Sequence, residues 1–516
     1  MQPEQHNQPA DNNPDSAADT GPADEMLCTE HLLGDLRGRA VRGGGVMLVS
    51  QGVKFAVKIG STMVLARILV PADFGLVAMV VAIANFVMIF KDAGLSTATV
   101  QSPRITREQV TTLFWLNAGL SLAVMAVLMA ASPLVARLYG EPRLMLITIG
   151  FAVPVLLGGL ASQHRAILQR NMRFIALAVT EVVPIVIGVT VAIVMAIRGY
   201  GYWALVAMPI TTEASATILC WAMCPWQPGA HAPLRECKKL LGFGGNLTGF
   251  SVLNYFTRNM DNIVIGATLG PGLLGLYAKS YDLLLMPIRQ INTPLNGVVL
   301  PALSRLQDEP ERFCRFFLKA ISLISFATIG IVGIVVADTR NFVLVVLGDQ
   351  WIETVEIFRW LGPAAVLGGI NIAPGWLCTA LGRTSIQLRW SLISSPVMIT
   401  AFFVGVQFGV IGVAIAFSAS WSAMFILLVF MACKGSPVSA GSLFGAIVPA
   451  LAGLVVGGGL VVWSGMTLTS GLSPLVAFLI HSVIYSVAYT GVWASLVDVR
   501  SLIKTFRDAA KKKGAA

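Results

Sequence analysis

Few residues of this 516-residue chain can do chemistry, because 56% of it is apolar and only 12% is charged. Five bases stand deep inside long apolar stretches, well away from their ends: Lys54, Lys58, Arg258, Lys279 and Arg289. Four acids do so too: Glu181, Glu213, Asp261 and Asp282. An ionised group at bilayer depth costs roughly 2.5–3.5 kcal/mol or more, so each should face a cavity or a partner. Lys54 and Lys58 are four apart and share a helix face. Lys58 lies about 12 residues, roughly 18 Å, from either end of its apolar stretch, which is mid-bilayer. Arg258 follows Lys58 at a shift of 200 positions. Two bases at matching depth suit a bidentate anion such as pyrophosphate. Arg289 and Asp282 fall on one face, with Lys279 on the same side. The pairs Arg258–Asp261 and Lys279–Asp282 are each three apart, so simple intrahelical neutralisation is an equal reading for them. Lys54, Lys58 and Arg289 have no acid close by in sequence, which favours a cavity. Glu181 lies near the inner face and reads as a snorkelling or helix-start acid. Glu213 lies deeper and is the better candidate for ion coupling.

Other chemistry is sparse. The seven cysteines are scattered and read as structural and reduced, and the histidines show no metal-ligand spacing. No phosphate-cradling GxxxxGK[ST] loop and no GxSxG elbow occurs, so no cofactor and no enzymatic activity are expected. The net charge of +10 reads as cytoplasmic loop charge, not as nucleic-acid binding.

The elements that must position these residues are membrane helices. At about 20 apolar residues per span, the apolar content fills about fourteen. Candidate spans are 46–69, 75–90, 110–136, 144–162, 175–197, 202–222, 243–267, 273–300, 316–337, 355–380, 387–407, 410–432, 441–464 and 474–497. With both termini cytoplasmic, 25 bases fall in inner loops and tails, Arg165 among them, and six fall outside. Residues 1–25 are polar and read as a disordered tail, not a signal peptide, and 26–42 as a short amphipathic surface helix.

An internal repeat divides the chain. LVPADFGLVA (69–78) matches LGPGLLGLYA (269–278) at Leu69/Leu269, Pro71/Pro271, Gly75/Gly275, Leu76/Leu276 and Ala78/Ala278. A weaker echo aligns Pro184 with Pro396 and GYWALV (201–206) with GVIGVA (409–414). The expected architecture is an all-α polytopic membrane protein. It has a tail and surface helix (1–45), a six-helix bundle (46–232), a second one (233–435), an appended helix pair (436–498) and a basic tail (499–516). Two such halves around a cavity are a transporter design.

Several strings then carry a resemblance: VLARILVPADFGLVA (64–78), LQRNMRF (168–174), RNMDNIVIG (258–266) with GLY (275–277), PALSRLQD (301–308) with ERF (311–313), and GDQW (348–351). With these the chain resembles the Wzx-type oligosaccharide flippases, more closely the WzxC-like branch of the polysaccharide transporter family. That family shares a superfamily with MATE drug exporters and the lipid II flippase. The resemblance covers roughly residues 46–435. It implies translocation of an undecaprenyl-pyrophosphate-linked oligosaccharide across the bacterial inner membrane, by alternating access, for exopolysaccharide, capsule or O-antigen. It also implies a polysaccharide polymerase and a chain-length regulator as partners alongside membrane lipid. Arg258 and Asp261 match the family's motif. Lys54, Lys58, Lys279 and Arg289 rest on the depth argument alone, with Asp261 and Asp282 holding the bases. The alternatives are a MATE-like exporter of small molecules, which would want acids in its cavity, a membrane enzyme such as a polymerase, and a non-transporting scaffold.

Overall fold

The computed structural model describes residues 36–88, 95–102, 105–229 and 238–498. They are helical, with no strand among them. The first half contains α1 (Leu36–Ile68), α2 (Pro71–Met88), a short α3 (Leu95–Gln101), α4 (Arg107–Tyr139), α5 (Leu144–Arg170), α6 (Phe174–Ile197) and α7 (Trp203–Met223). Next comes α8 (Lys238–Ser304), then α9 (Pro310–Ala337), α10 (Thr339–Val346), α11 (Thr354–Gly368), α12 (Ile372–Ala380), α13 (Thr384–Gly405) and α14 (Gly409–Cys433). The chain closes with α15 (Ala440–Thr467) and α16 (Pro474–Leu496). Eleven helical stretches among the described residues are long and apolar enough to cross a membrane. This makes the chain a multi-pass helical membrane protein. α1 is not among the eleven; it carries Gln51, Lys54 and Lys58 along its length.

Local chemistry sets the boundaries. Thr106 and Gln109 form a reciprocal capping box that starts α4, and Gly140 ends it in the left-handed region at φ 64°. Gly270 breaks α8 with φ 81° and ψ 178°, a conformation that disfavours any side chain. Two expectations change here. The segment 36–42 is continuous with α1, not a separate surface helix, and residues 26–35 lie outside the described set. The stretch 355–380 remains one candidate crossing, Thr354–Ala380, built of two helices, α11 and α12. Arg165 sits within α5 and not in a loop.

α1 lies on α6, α4 on α5, and α5 and α6 on α7. In the second half, α8 packs on α9, α11 and α13, and α14 on α11 and α13. The main joint between the halves is α2 against α8. There the repeated glycines interlock: a methyl group on Gly75 would overlap the Pro271 carbonyl, and one on Gly275 would overlap the Pro71 carbonyl. The α15–α16 pair leans on α9, where the Tyr489 hydroxyl donates to the Phe326 carbonyl at 2.8 Å.

Candidate functional site

Directly below the Gly75–Gly275 crossing, α2, α8, α11, α12 and α14 enclose a cavity of about 890 Å³. The α8 arm beyond Gly270 supplies a stripe: Ala278, Tyr281, Asp282, Leu285, Arg289, Asn292 and Asn296. These recur at three- and four-residue steps, so one helix face lines the wall. α2 adds Asn85 on the opposite side, and Asn259, Asn262 and Asn371 complete six asparagines. Aromatic rings form another wall. Tyr281 meets Phe417 edge-on at 5.5 Å, and Phe417 stacks on Trp421 at 5.7 Å. The buried amide oxygens of Asn262, Asn292 and Asn371 have no donor among the described residues. Unsatisfied buried acceptors of this kind gain from a hydroxyl donor.

The nine ionisable residues are distributed differently from the sequence expectation. Arg289 and Asp282 line the cavity, as their shared face required. Asp282 is bridged by Lys58 of α1 at 3.6 Å, across the two halves, and not by Lys279. The two side chains are 52% and 37% exposed, so the contact is worth no more than about 1 kcal/mol and either charge can change partner. Lys279 lies over the Phe74 ring, 4.5 Å from its centre, and is not part of the lining. Lys54 is committed elsewhere, to Glu181 of α6 at 2.5 Å. Glu181 is therefore an interhelix partner and not a helix-start acid. Glu213 of α7 takes Arg165 of α5 at 3.2 Å. Asp261 is 1% exposed and accepts from the Tyr277 hydroxyl at 3.0 Å and from the backbone N–H of Asn262 at 2.8 Å. The side chain of Arg258 lies outside the described set. The described lining thus holds one base and one acid amid amides and rings, with Lys58 at its edge. Of these asparagines only Asn259 and Asn262 fall in a string that carries the resemblance, RNMDNIVIG. Their signal was present as polar residues three and four apart in apolar stretches, Asn259/Asn262 and Asn292/Asn296.

At the end closed by the glycine crossing, the second half clamps the first. Trp351 donates from its indole nitrogen to the Ala66 carbonyl at 2.7 Å, and Gln350 donates to the Leu69 carbonyl at 3.1 Å. Arg67 reaches back to the Val345 carbonyl at 2.8 Å. These side-chain-to-carbonyl contacts join the two parts of the chain on the glycine side of the cavity.

Comparison with known proteins adds the following. The family model described as "Polysaccharide biosynthesis protein" matches residues 64–356, more than half of the chain. The chain is 26% identical over 392 residues to the lipopolysaccharide biosynthesis protein WzxC of Escherichia coli (strain K12), covering 74% of this chain and 78% of that protein. It is 24% identical over 363 residues to the succinoglycan biosynthesis transport protein ExoT of Rhizobium meliloti (strain 1021), covering 68% and 71%. Among solved structures it is similar to the lipid II flippase MurJ in an inward closed conformation. The TM-score is 0.70 at 14% identity, over 88% of this chain and 99% of that one. An inward-facing multidrug resistance MATE transporter gives a TM-score of 0.59 at 12% identity, over 76% and 95%. At these identities the structural likeness establishes the fold alone.

Proposed function

Because the chain belongs to the polysaccharide biosynthesis protein family, we propose that it is a flippase for undecaprenyl-pyrophosphate-linked oligosaccharide, acting by alternating access in a bacterial inner membrane. The observation that carries this reading is the cavity between the two halves, about 890 Å³ and lined by six asparagines, three aromatic rings and the Arg289–Asp282 pair. Amides donate to and accept from sugar hydroxyls, and aromatic faces stack on sugar rings. Arg289 offers a planar fork to phosphate oxygens, and Lys58 is a second cation whose weak tie to Asp282 lets it turn to an anion. In this reading the saccharide occupies the amide-lined space. The pyrophosphate is met by Lys58, Arg289 and, from the motif, Arg258, while the isoprenoid tail stays in lipid. Lys54, Lys279 and Asp261 act as supports: they hold α1, α2 and α8 in register.

Fourteen crossings with both termini inside, two six-helix bundles and an appended pair are part of the same proposal. A polymerase and a chain-length regulator would receive the product. Glu213, already paired with Arg165, is the acid we assign to ion coupling. A MATE-like exporter of organic cations is less well supported, because the lining acid Asp282 is bridged by Lys58 and shares its cavity with Arg289. The test is translocation of a lipid-linked oligosaccharide in reconstituted vesicles. The doubly neutral Lys58→Gln, Arg289→Gln chain should lose at least about tenfold in rate, the cost of roughly one charge-assisted hydrogen bond. An unchanged rate in that double variant removes the proposed mechanism.

A further inference from the structure

A second polar constellation lies far from the cavity, where the α15–α16 pair meets the end of α9. Residues 435–497 contain no Asp, Glu, Lys or Arg. Within that stretch His481 is buried at 3% exposure, and its Nδ1 lies 2.7 Å from Oδ2 of Asp338, itself 8% exposed. Asp338 ends α9, and its other oxygen accepts from the Asn341 amide at 2.9 Å. On the far side of the ring, Nε2 lies 2.9 Å from Oγ1 of Thr469. That hydroxyl is also 3.3 Å from the Ser464 carbonyl. A pocket of about 470 Å³ opens onto this chain of groups, lined among others by Asp338, Arg340, Asn341, Gly465, Thr469 and His481.

An ionised carboxylate only accepts hydrogen bonds, so the imidazole hydrogen on Nδ1 points at Asp338 and Nε2 is left as the acceptor. In that state the Thr469 hydroxyl donates to Nε2. If Nε2 takes a proton, it becomes a donor; the Thr469 hydroxyl then accepts from it and turns its own hydrogen to the Ser464 carbonyl. Both protonation states are therefore satisfied by the same atoms without moving the backbone. With Asp338 ionised, proton uptake changes the buried charge from −1 to 0. Desolvation of a lone buried carboxylate is costly, so the paired state is favoured. Burial holds the Asp338 carboxyl above its ordinary value, and the His481 hydrogen bond draws it back.

Other charges do not take over this role. The ionisable residues of α9 are Glu311, Arg312, Cys314, Arg315 and Lys319, all near its opposite end. α10 contributes Arg340, which lines the pocket. α15 contributes none, and on α16 only Tyr485 and Tyr489 accompany His481. Tyr485 is turned to the Ile329 carbonyl at 3.4 Å.

We propose that Asp338, His481 and Thr469 form a proton-binding site, filled from the pocket at the α9–α16 junction. Its use as a second coupling site beside Glu213 rests on the flippase reading; the binding of a proton there does not.

The test uses the full chain in lipid nanodiscs, with ring-labelled histidine followed by NMR from acid to alkaline pH. There are five histidines, and His481→Gln identifies the signal. The signal should titrate as a single proton. Asp338→Asn should lower the proton affinity of the site by about tenfold, one pH unit. Thr469→Val keeps both ionisable groups and should lower it by about threefold, since the protonated ring loses its acceptor. The proposal is overturned by a signal that does not titrate, or by midpoints that do not move in these variants. Should Asp338→Asn fail to fold, Thr469→Val decides alone. A vesicle arm then measures lipid-linked oligosaccharide translocation against pH. A flattened pH profile in His481→Gln supports the coupling role, and an unaltered profile removes that role while leaving the proton site. Absence of translocation by the parent chain counts against the flippase reading only.

Discussion

Lys54 and Lys58 are one helical turn apart, yet the fold gives them different work. Lys54 is in a short bridge to Glu181, partly shielded from solvent, while Lys58 makes a long and half-exposed contact with Asp282. Losing one partner of a shielded pair strands a charge, whereas losing one partner of an exposed pair costs little. Glu181→Gln should therefore lower thermal stability by about 1–3 kcal/mol, with part of the loss regained in the Lys54→Gln, Glu181→Gln double variant. Thermal unfolding of the purified chain checks this. A Glu181→Gln chain as stable as the parent would show that the bridge contributes nothing. Lys58→Gln should leave stability unchanged within about 0.5 kcal/mol and affect translocation instead. The scarcity of charge made all nine residues visible in the sequence. Their pairing was not visible, because Glu181 lies 127 positions from Lys54 and only the packing of α1 on α6 brings them together.

At the scale of elements, the crossing of α2 and α8 stands out. Gly75 and Gly275 touch the opposing proline carbonyls, so an added methyl group must push backbone and not a flexible side chain. Overpacking of this kind costs typically about 1–3 kcal/mol. Gly75→Ala and Gly275→Ala should each part the crossing and weaken the clamp made by Gln350 and Trp351 on the end of α1. A cysteine placed at Asn85 in the cavity should then react with a membrane-impermeant reagent from the clamped side, and should stay unreactive where both glycines are kept. Equal labelling in both would sink this assignment of the gate. The repeat offset that reveals the two glycines was legible in sequence, as was the echo at Pro184 and Pro396, which both fall within helices, α6 and α13. That the two copies press on each other was not, since a repeat records similarity and not contact.

For the whole molecule, the α15–α16 pair packs against α9 through tyrosines laid on glycines. A side chain at Gly333 would meet the Tyr485 ring and hydroxyl, and Gly453 and Gly457 lie against Tyr489 and Tyr485. Gly333→Leu should dislodge the pair while the two halves stay joined through α2 and α8. Limited proteolysis checks this, with new cleavage expected between Cys433 and Ala440 and the remainder intact. Cleavage spread over the whole chain would mean that the pair is integral to the fold.

The sequence by itself determined that this is a helical membrane protein and where its apolar segments lie. These properties follow from composition and short-range periodicity, since the bilayer demands internally satisfied backbones and long apolar runs, whereas the family resemblance rests on particular strings such as RNMDNIVIG. Only the tertiary structure decided which charges face one another, that the cavity is lined mainly by amides and rings, and that His481 meets Asp338. Those facts depend on contacts between helices distant in sequence, set by side-chain shape and buried polar pairing, which no local pattern encodes.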